Sequence, residues 1–244
     1  MKVLVGVSVF AVPDLVKSCL TSLIGTPADV LVIDSKAADD VKDVISRLPV
    51  NIIVSPENGY CNGGWNDIMR YGLMHNYDVI GLGSSDVELL PGWYDILERR
   101  MSQTSCEVCI PRQKSTKYQD FPEEVEYVQG GVAGYFSFLP RKAVELVYPI
   151  PHTIKHWFGD QYMFEKLRAN GWKIAILNRM LAYHQQSAIT AQNPEAYRVI
   201  EEDKKAWQAL GGSVVLAENH DSEKSIDNGD NGPRRIVPRR TTAR

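Results

Sequence analysis

Cysteine is scarce: Cys19, Cys61, Cys106 and Cys109 are the only four in 244 residues, too few and too irregularly spaced for a disulfide scaffold. A reducing compartment suits them. Cys106 and Cys109 form a C-x-x-C pair, but no second pair and no nearby histidine completes a set of zinc ligands, and no helix opens there as in a thioredoxin-type motif. Long apolar runs are also missing. None reaches the ~18 residues that a membrane span needs, and the apolar start VLVGVSVFAV runs into Pro13 and Asp14 rather than a cleavage site, so it reads as a first buried strand. There is no excess of positive charge; a net charge of -3 excludes a surface coated for wrapping nucleic acid. Two phosphate-binding motifs are absent as well: no G-x-G-x-x-G follows the first strand, and no G-x-x-x-x-G-K-[ST] occurs. A dinucleotide-dependent dehydrogenase and a P-loop enzyme are thereby disfavoured.

What is present is a hydrophobic content of 44%, enough for one substantial core. Strand-like and helix-like patterns alternate: strand 3–9, helix 13–24, strand 30–33, helix 38–48 and strand 51–54, a βαβαβ start. In the first helix Leu15, Val16, Cys19, Leu20 and Leu23 share one face. A helix over 62–75 and a strand over 77–82 follow, and Pro91 opens another helix. Short strands are expected at 108–111 and 125–128, and a glycine- and aromatic-rich stretch at 131–139. Next come a helix over 159–170 ended by Gly171, two short strands within 173–183 and an amphipathic helix over 194–210. This predicts an α/β domain over 1–212 with a mostly parallel sheet, partly antiparallel in its second half, and ligands at the carboxyl ends of the strands. Residues 213–244 turn acidic and then arginine-rich, and are expected to form a disordered tail. Its five arginines, Arg234, Arg235, Arg239, Arg240 and Arg244, could meet phosphates of nucleic acid or of an anionic membrane.

Chemistry concentrates in SPENGYCNGGWNDIMRYGLMHNYDVIGLGSSDVELLPGW, residues 55–93. Asn58, Asn62 and Asn66 recur at four-residue spacing ahead of an apolar strand that ends near a lone carboxylate, Asp86. A strand that delivers an acid into a cleft can hold a divalent cation against a diphosphate, which is the solution left when no glycine cradle exists.

VIDS after the second strand, NGYCNGGWN, SSDVELLPGW, GGVAGYFSFLPR, FGDQYMFEKLRANGW and AYHQQS occur in that order, and together they resemble glycosyltransferase family 2 of the GT-A fold. The resemblance implies a Rossmann-like, mixed but mostly parallel sheet flanked by helices in a single domain. It implies a hexosyltransferase-type enzyme that moves a sugar, with inversion, from a nucleoside diphosphate donor, UDP-type favoured, to a hydroxyl acceptor. Mn²⁺ or Mg²⁺ would be the cofactor.

Carried over residue by residue, the resemblance implies that Asp34 accepts a hydrogen bond from the nucleobase, though a turn or helix-capping aspartate would look the same. Asn58 and Asn62 fall beside the nucleotide, with turn and N-cap chemistry as the alternative, and Asn66 is structural. Asp86 matches the metal-binding acid of the D-x-D motif. Here the chain departs from the pattern: Ser84 takes the first aspartate's place, where it could bond the ribose, and metal dependence is put in doubt. His184 falls where the family has a histidine facing the metal or diphosphate, although a packed histidine is equally compatible. Asp160 matches the catalytic base, against the alternative of an acid at a helix N-terminus. Gly159 replaces the glutamate that precedes that base in the family.

Trp157 is the candidate acceptor platform, and Gly131 lies where backbone could approach the donor sugar. Acceptor glycan, protein, lipid-linked saccharide and hydroxylated DNA base all fit. The expected compartment is the cytoplasm, with a membrane periphery or an infected host cell as alternatives. Because of Ser84 and Gly159, a non-catalytic nucleotide-sugar-binding or scaffold protein of the same fold stands as the rival reading.

Overall fold

A computed structural model describes residues 1–104, 106–114, 124–131, 133–185 and 194–212, so the tail expected over 213–244 lies outside the described residues. Buried apolar runs form the first parallel unit: β1 (Val3–Val9), α1 (Pro13–Leu23), β2 (Asp29–Asp34), α2 (Asp39–Ser46), β3 (Asn51–Val54), α3 (Tyr60–Met74) and β4 (Val79–Ser84). Then come β5 (Val87–Leu89), α4 (Trp93–Gln103), β6 (Glu107–Gln113), β7 (Val125–Tyr127), β8 (Phe136–Pro140), α5 (Arg141–Val147), α6 (Gly159–Ala169), β9 (Lys173–His184) and α7 (Pro194–Ala209).

All nine strands join one sheet in the order β3-β2-β1-β4-β8-β6-β9-β5, with β7 on β9. Strands β3, β2, β1, β4, β6 and β9 run one way, and β8, β5 and β7 run against them, so the sheet is mixed and mostly parallel as expected. Period-two alternation divides β1 between two cores. Val3, Val5, Val7 and Val9 pack with α1, α2 and α4 on one face, while Leu4 joins α3, α5, α6 and Trp207 of α7 on the other. Inside the first core Trp93 stacks on Phe138, ring centroids 5.5 Å apart. Among the described residues no helix is long and apolar enough to cross a membrane.

Three local expectations are corrected. The stretch read as two short strands is the single strand β9, twelve residues long. Polar Asn178 and Arg179 sit where the β6 register jumps from Pro111↔Leu177 to Arg112↔Leu181, and Asn178 is buried as the acceptor of two Arg112 hydrogen bonds. Strand β5 and helix α5 were not anticipated, three and seven residues being too short for a period to register. Helix α3 opens at Tyr60 rather than at residue 62.

Candidate functional site at the carboxyl edge of the sheet

Parallel pairing brings the carboxyl ends of β2, β1 and β4 side by side, with Val9 opposite Asp34 and Ser8 opposite Ser84. Asp34 is 3% exposed, and its Oδ1 accepts the N–H of Ala37 at 2.7 Å, so this carboxylate shapes the turn after β2 whatever else it binds. Beside it Ser8 Oγ lies 3.0 Å from Ser35 Oγ.

The chain leaves β4 through Asp86, and β5 then pairs with the end of β9, placing Val87 opposite His184. The Gln185 N–H donates to Asp86 O at 3.1 Å. The histidine is thereby delivered to the acid: His184 Nε2 stands 3.7 Å from Asp86 Oδ1, and both side chains are mostly buried. The His184 ring packs on Tyr135, centroids 4.7 Å apart, and the Tyr135 hydroxyl is anchored on Pro111 O at 2.7 Å. His184 Nδ1 is buried and has no hydrogen-bond partner among the described residues.

On the opposite side lies the loop that leads into α6. Asn58 forms a turn that opens α3, its Oδ1 accepting the Tyr60 N–H at 3.0 Å. Asn62, 2% exposed, is spent on main chain: its Nδ2 donates to Ile154 O at 3.0 Å and Trp157 O at 3.2 Å, and its own N–H donates to Lys155 O. Its amide therefore holds the 154–157 loop rather than facing the cleft. Asn66 likewise exchanges two hydrogen bonds with the main chain of Ile150, the structural role expected of it. Gly159 has no room for a side chain, since a Cβ there would lie 2.1 Å from Asn62 Oδ1. This close approach accounts for glycine where the resembling family has glutamate.

Asp160, half-buried in the first turn of α6, accepts the Gly134 N–H on Oδ2 and the Gln161 N–H on Oδ1, each at 2.8 Å. Burial raises its pKa against the pull of these hydrogen bonds. Gly134 is tight against it as well, a Cβ there falling 2.6 Å from Asp160 Cβ. The Cys61 thiol is raised by burial, and further by the charges of Asp160 and Asp86. His156 is lowered by burial, opposed by Asp203 and Asp86. Trp157 is half-buried beside His156, rings edge to face at 5.4 Å, and its buried indole N–H has no hydrogen-bond partner among the described residues.

Gly131 lies elsewhere in this neighbourhood. With Gln129, Gln161, Glu165 and Arg168 it lines a pocket of about 270 Å³ along α6, where Arg168 Nη2 donates to Gly130 O at 2.7 Å.

Left-handed backbone gathers at this edge. Among the described non-glycine residues Val12, Lys36, Tyr60, Phe158 and Asn76 have positive φ, and all but Asn76 lie in the turns after β1 and β2 or at the starts of α3 and α6. Such conformations persist where surrounding structure over-determines them, and they concentrate at binding sites. The sequence held no signal for Asp203, which is 0% exposed in α7 and bonded to the loop before Asp160.

The chemistry of the Asp86–His184 pair fits a divalent cation. One carboxylate oxygen and one imidazole nitrogen 3.7 Å apart can both reach an ion that takes ligands at about 2.1 Å. Among the described residues no cluster of three His, Cys, Asp or Glu exists, so the remaining ligands would be phosphate oxygens and water, the usual manner of Mg²⁺ at diphosphates.

No protein-family model matches the sequence, and a search of curated proteins finds no match. Solved structures do match. Residues 1–349 of S. aureus TarS superpose with a TM-score of 0.60 at 13% identity, over 86% of this chain and 72% of that one. The same TarS segment in complex with UDP gives 0.60 at 13% identity, over 88% and 67%. GalNAc-T7 with UDP, GalNAc and Mn²⁺ gives 0.59 at 11%, over 75% of this chain and 43% of that one. At such identities the likeness is one of architecture, and the fold is that of GT-A glycosyltransferases.

Proposed function

We propose that this protein is an inverting glycosyltransferase that moves a sugar from a UDP-type nucleoside diphosphate donor to a hydroxyl acceptor. The observation that carries this reading is that two adjacent residues link the acids: Gly134 donates its N–H to Asp160, and Tyr135 packs on His184, whose Nε2 stands 3.7 Å from Asp86. Two further facts support it: the GT-A architecture, and similar structures that contain UDP, in one case with Mn²⁺.

In this reading the free lone pairs of Asp34 take the nucleobase N–H, while Ser84 bonds the ribose. Asp86 and His184 hold Mn²⁺ or Mg²⁺, which when bound supplies a Lewis acid for the diphosphate. Asp160 acts as the base. Each of its oxygens accepts one main-chain N–H, leaving a lone pair to take the proton of the acceptor hydroxyl as that oxygen attacks the anomeric carbon. The new C–O bond forms as the bond to phosphate breaks, the electron pair leaves with the nucleoside diphosphate, and the anomeric centre inverts. Trp157 offers an aromatic face to the acceptor. Asn58 and Asn62 act by shaping α3 and its loop, and Gly131 would border an extended sugar or acceptor subsite.

Calorimetry with UDP and Mn²⁺, then mass spectrometry of hydrolysis and transfer across a panel of donors, tests the proposal. UDP binding with donor turnover is the expected result. Binding without any hydrolysis or transfer would replace it with a non-catalytic nucleotide-sugar-binding protein.

A further inference from the structure

Helix α7 follows the last strand of the sheet, yet it grips the loop that leads into Asp160. Asp203 is fully buried and accepts three consecutive main-chain N–H groups: Lys155 on Oδ1 at 2.8 Å, and His156 and Trp157 on Oδ2 at 2.7 Å each. One helical turn later the Trp207 ring stacks on Phe158, centroids 6.3 Å apart and planes 10° from parallel. From the other side Asn62 binds the Ile154 and Trp157 carbonyls. Donors and acceptors of the loop are therefore both taken. Phe158 itself sits at φ 61, a conformation that needs such enforcement, and only Gly159 separates it from Asp160.

We propose that Asp203 and Trp207 are positioning residues, a bracket from α7 that sets where Trp157 stands and where the Asp160 carboxylate points. The inference rests on the reading of Asp160 as the base. A carboxylate suits the task because it presents only acceptors, so it satisfies three N–H groups at once. Asparagine in its place keeps the shape but turns an N–H₂ group toward N–H donors. The groups that bond Asp160 are the Gly134 N–H, from the segment before β8, and the Gln161 N–H, from α6 itself; neither belongs to α7, so the bracket acts on Asp160 through the loop that leads into its helix. Displacing a reacting group by about 1 Å costs about 10²-fold in rate.

The test uses the full chain carrying Asp203→Asn, with Trp207→Leu as a second variant, each checked for folding by its melting temperature. Titration of the Asp160 carboxyl by ¹³C NMR requires no turnover, and kcat and KM for the donor are measured beside it. We expect Asp203→Asn to lower the Asp160 pKa toward the ordinary carboxylate range as water enters. Its kcat should fall about 10²-fold with KM within about twofold. Trp207→Leu should shift both readouts in the same direction, and it decides the matter if Asp203→Asn does not fold. Folded variants with an unmoved Asp160 titration overturn the bracket even if the wild type is an active transferase. A wild type that transfers no sugar overturns the functional reading instead, while the titration still decides the bracket.

Discussion

Asp86 and Asp160, one after β4 and the other at the start of α6, are linked through two adjacent residues: Tyr135 packs on His184, the partner of Asp86, and Gly134 donates its N–H to Asp160. Burial, with the charges of both acids adding to it, keeps the Cys61 thiol from ionising, so it should be a poor nucleophile even though its side chain is not fully enclosed. Cys106 is exposed. Brief iodoacetamide treatment of the native protein at mildly alkaline pH should therefore label Cys106 and spare Cys61, as read by peptide mass spectrometry. Preferential labelling of Cys61 would mean that its thiol is not held protonated by its surroundings.

Asp160→Asn should reduce transfer by about 10³-fold, within the range for a lost general base, with UDP affinity by calorimetry unchanged within about twofold. A base works only when ionised, and burial has raised this group, so kcat/KM should fall on acidification through a midpoint above the normal carboxylate range. Stability carries the matching sign. The folded protein holds this proton more tightly than the unfolded chain, so the group's contribution is full below the unfolded pKa of about 3.9 and is lost as pH rises through the folded value. An acid limb at the ordinary aspartate position would remove Asp160 as the base.

Replacing either member of the Asp86–His184 pair should uncouple nucleotide from metal. In Mn²⁺, Asp86→Ala and His184→Ala should each weaken UDP about tenfold, ~1.4 kcal/mol, toward the affinity that the wild type shows in EDTA. Unaltered Mn²⁺ dependence in both variants would place the cation elsewhere.

Gly159→Ala should destabilise the fold by about 1–3 kcal/mol, because the new methyl meets the Asn62 amide, itself fixed by two carbonyls. The effect should appear as a lower urea midpoint with an unchanged slope. A midpoint equal to that of the wild type would show that the loop relaxes at no cost.

Much of the parallel half was legible because β1, β2 and β4 are runs of buried aliphatics that leave little choice of element. Asp34 and Asp86 could be placed at strand ends for the same reason. Short elements escaped: β5 and α5 exist because β9 and the α3 side of the sheet offer partners, which no local period records. For Asn62 the resemblance implies a place beside the nucleotide, with turn and N-cap chemistry as the alternative; its amide turns inward to the main chain of a distant loop, a pairing that no local pattern records. Asp203 was invisible for a different reason. An aspartate in EEDKKAW reads as part of a solvated helix face, and only the folded chain shows three N–H groups waiting for it.

The Asp203 carboxylate also bears on the order in which the protein is made. Every element of the sheet leaves the ribosome before residue 203 does, so a nascent chain can already be compact while the segment carrying Asp160 is held from the Asn62 side alone. Competence would then arrive late and abruptly, withheld from partly synthesised copies until helix α7 has emerged and closed on its loop.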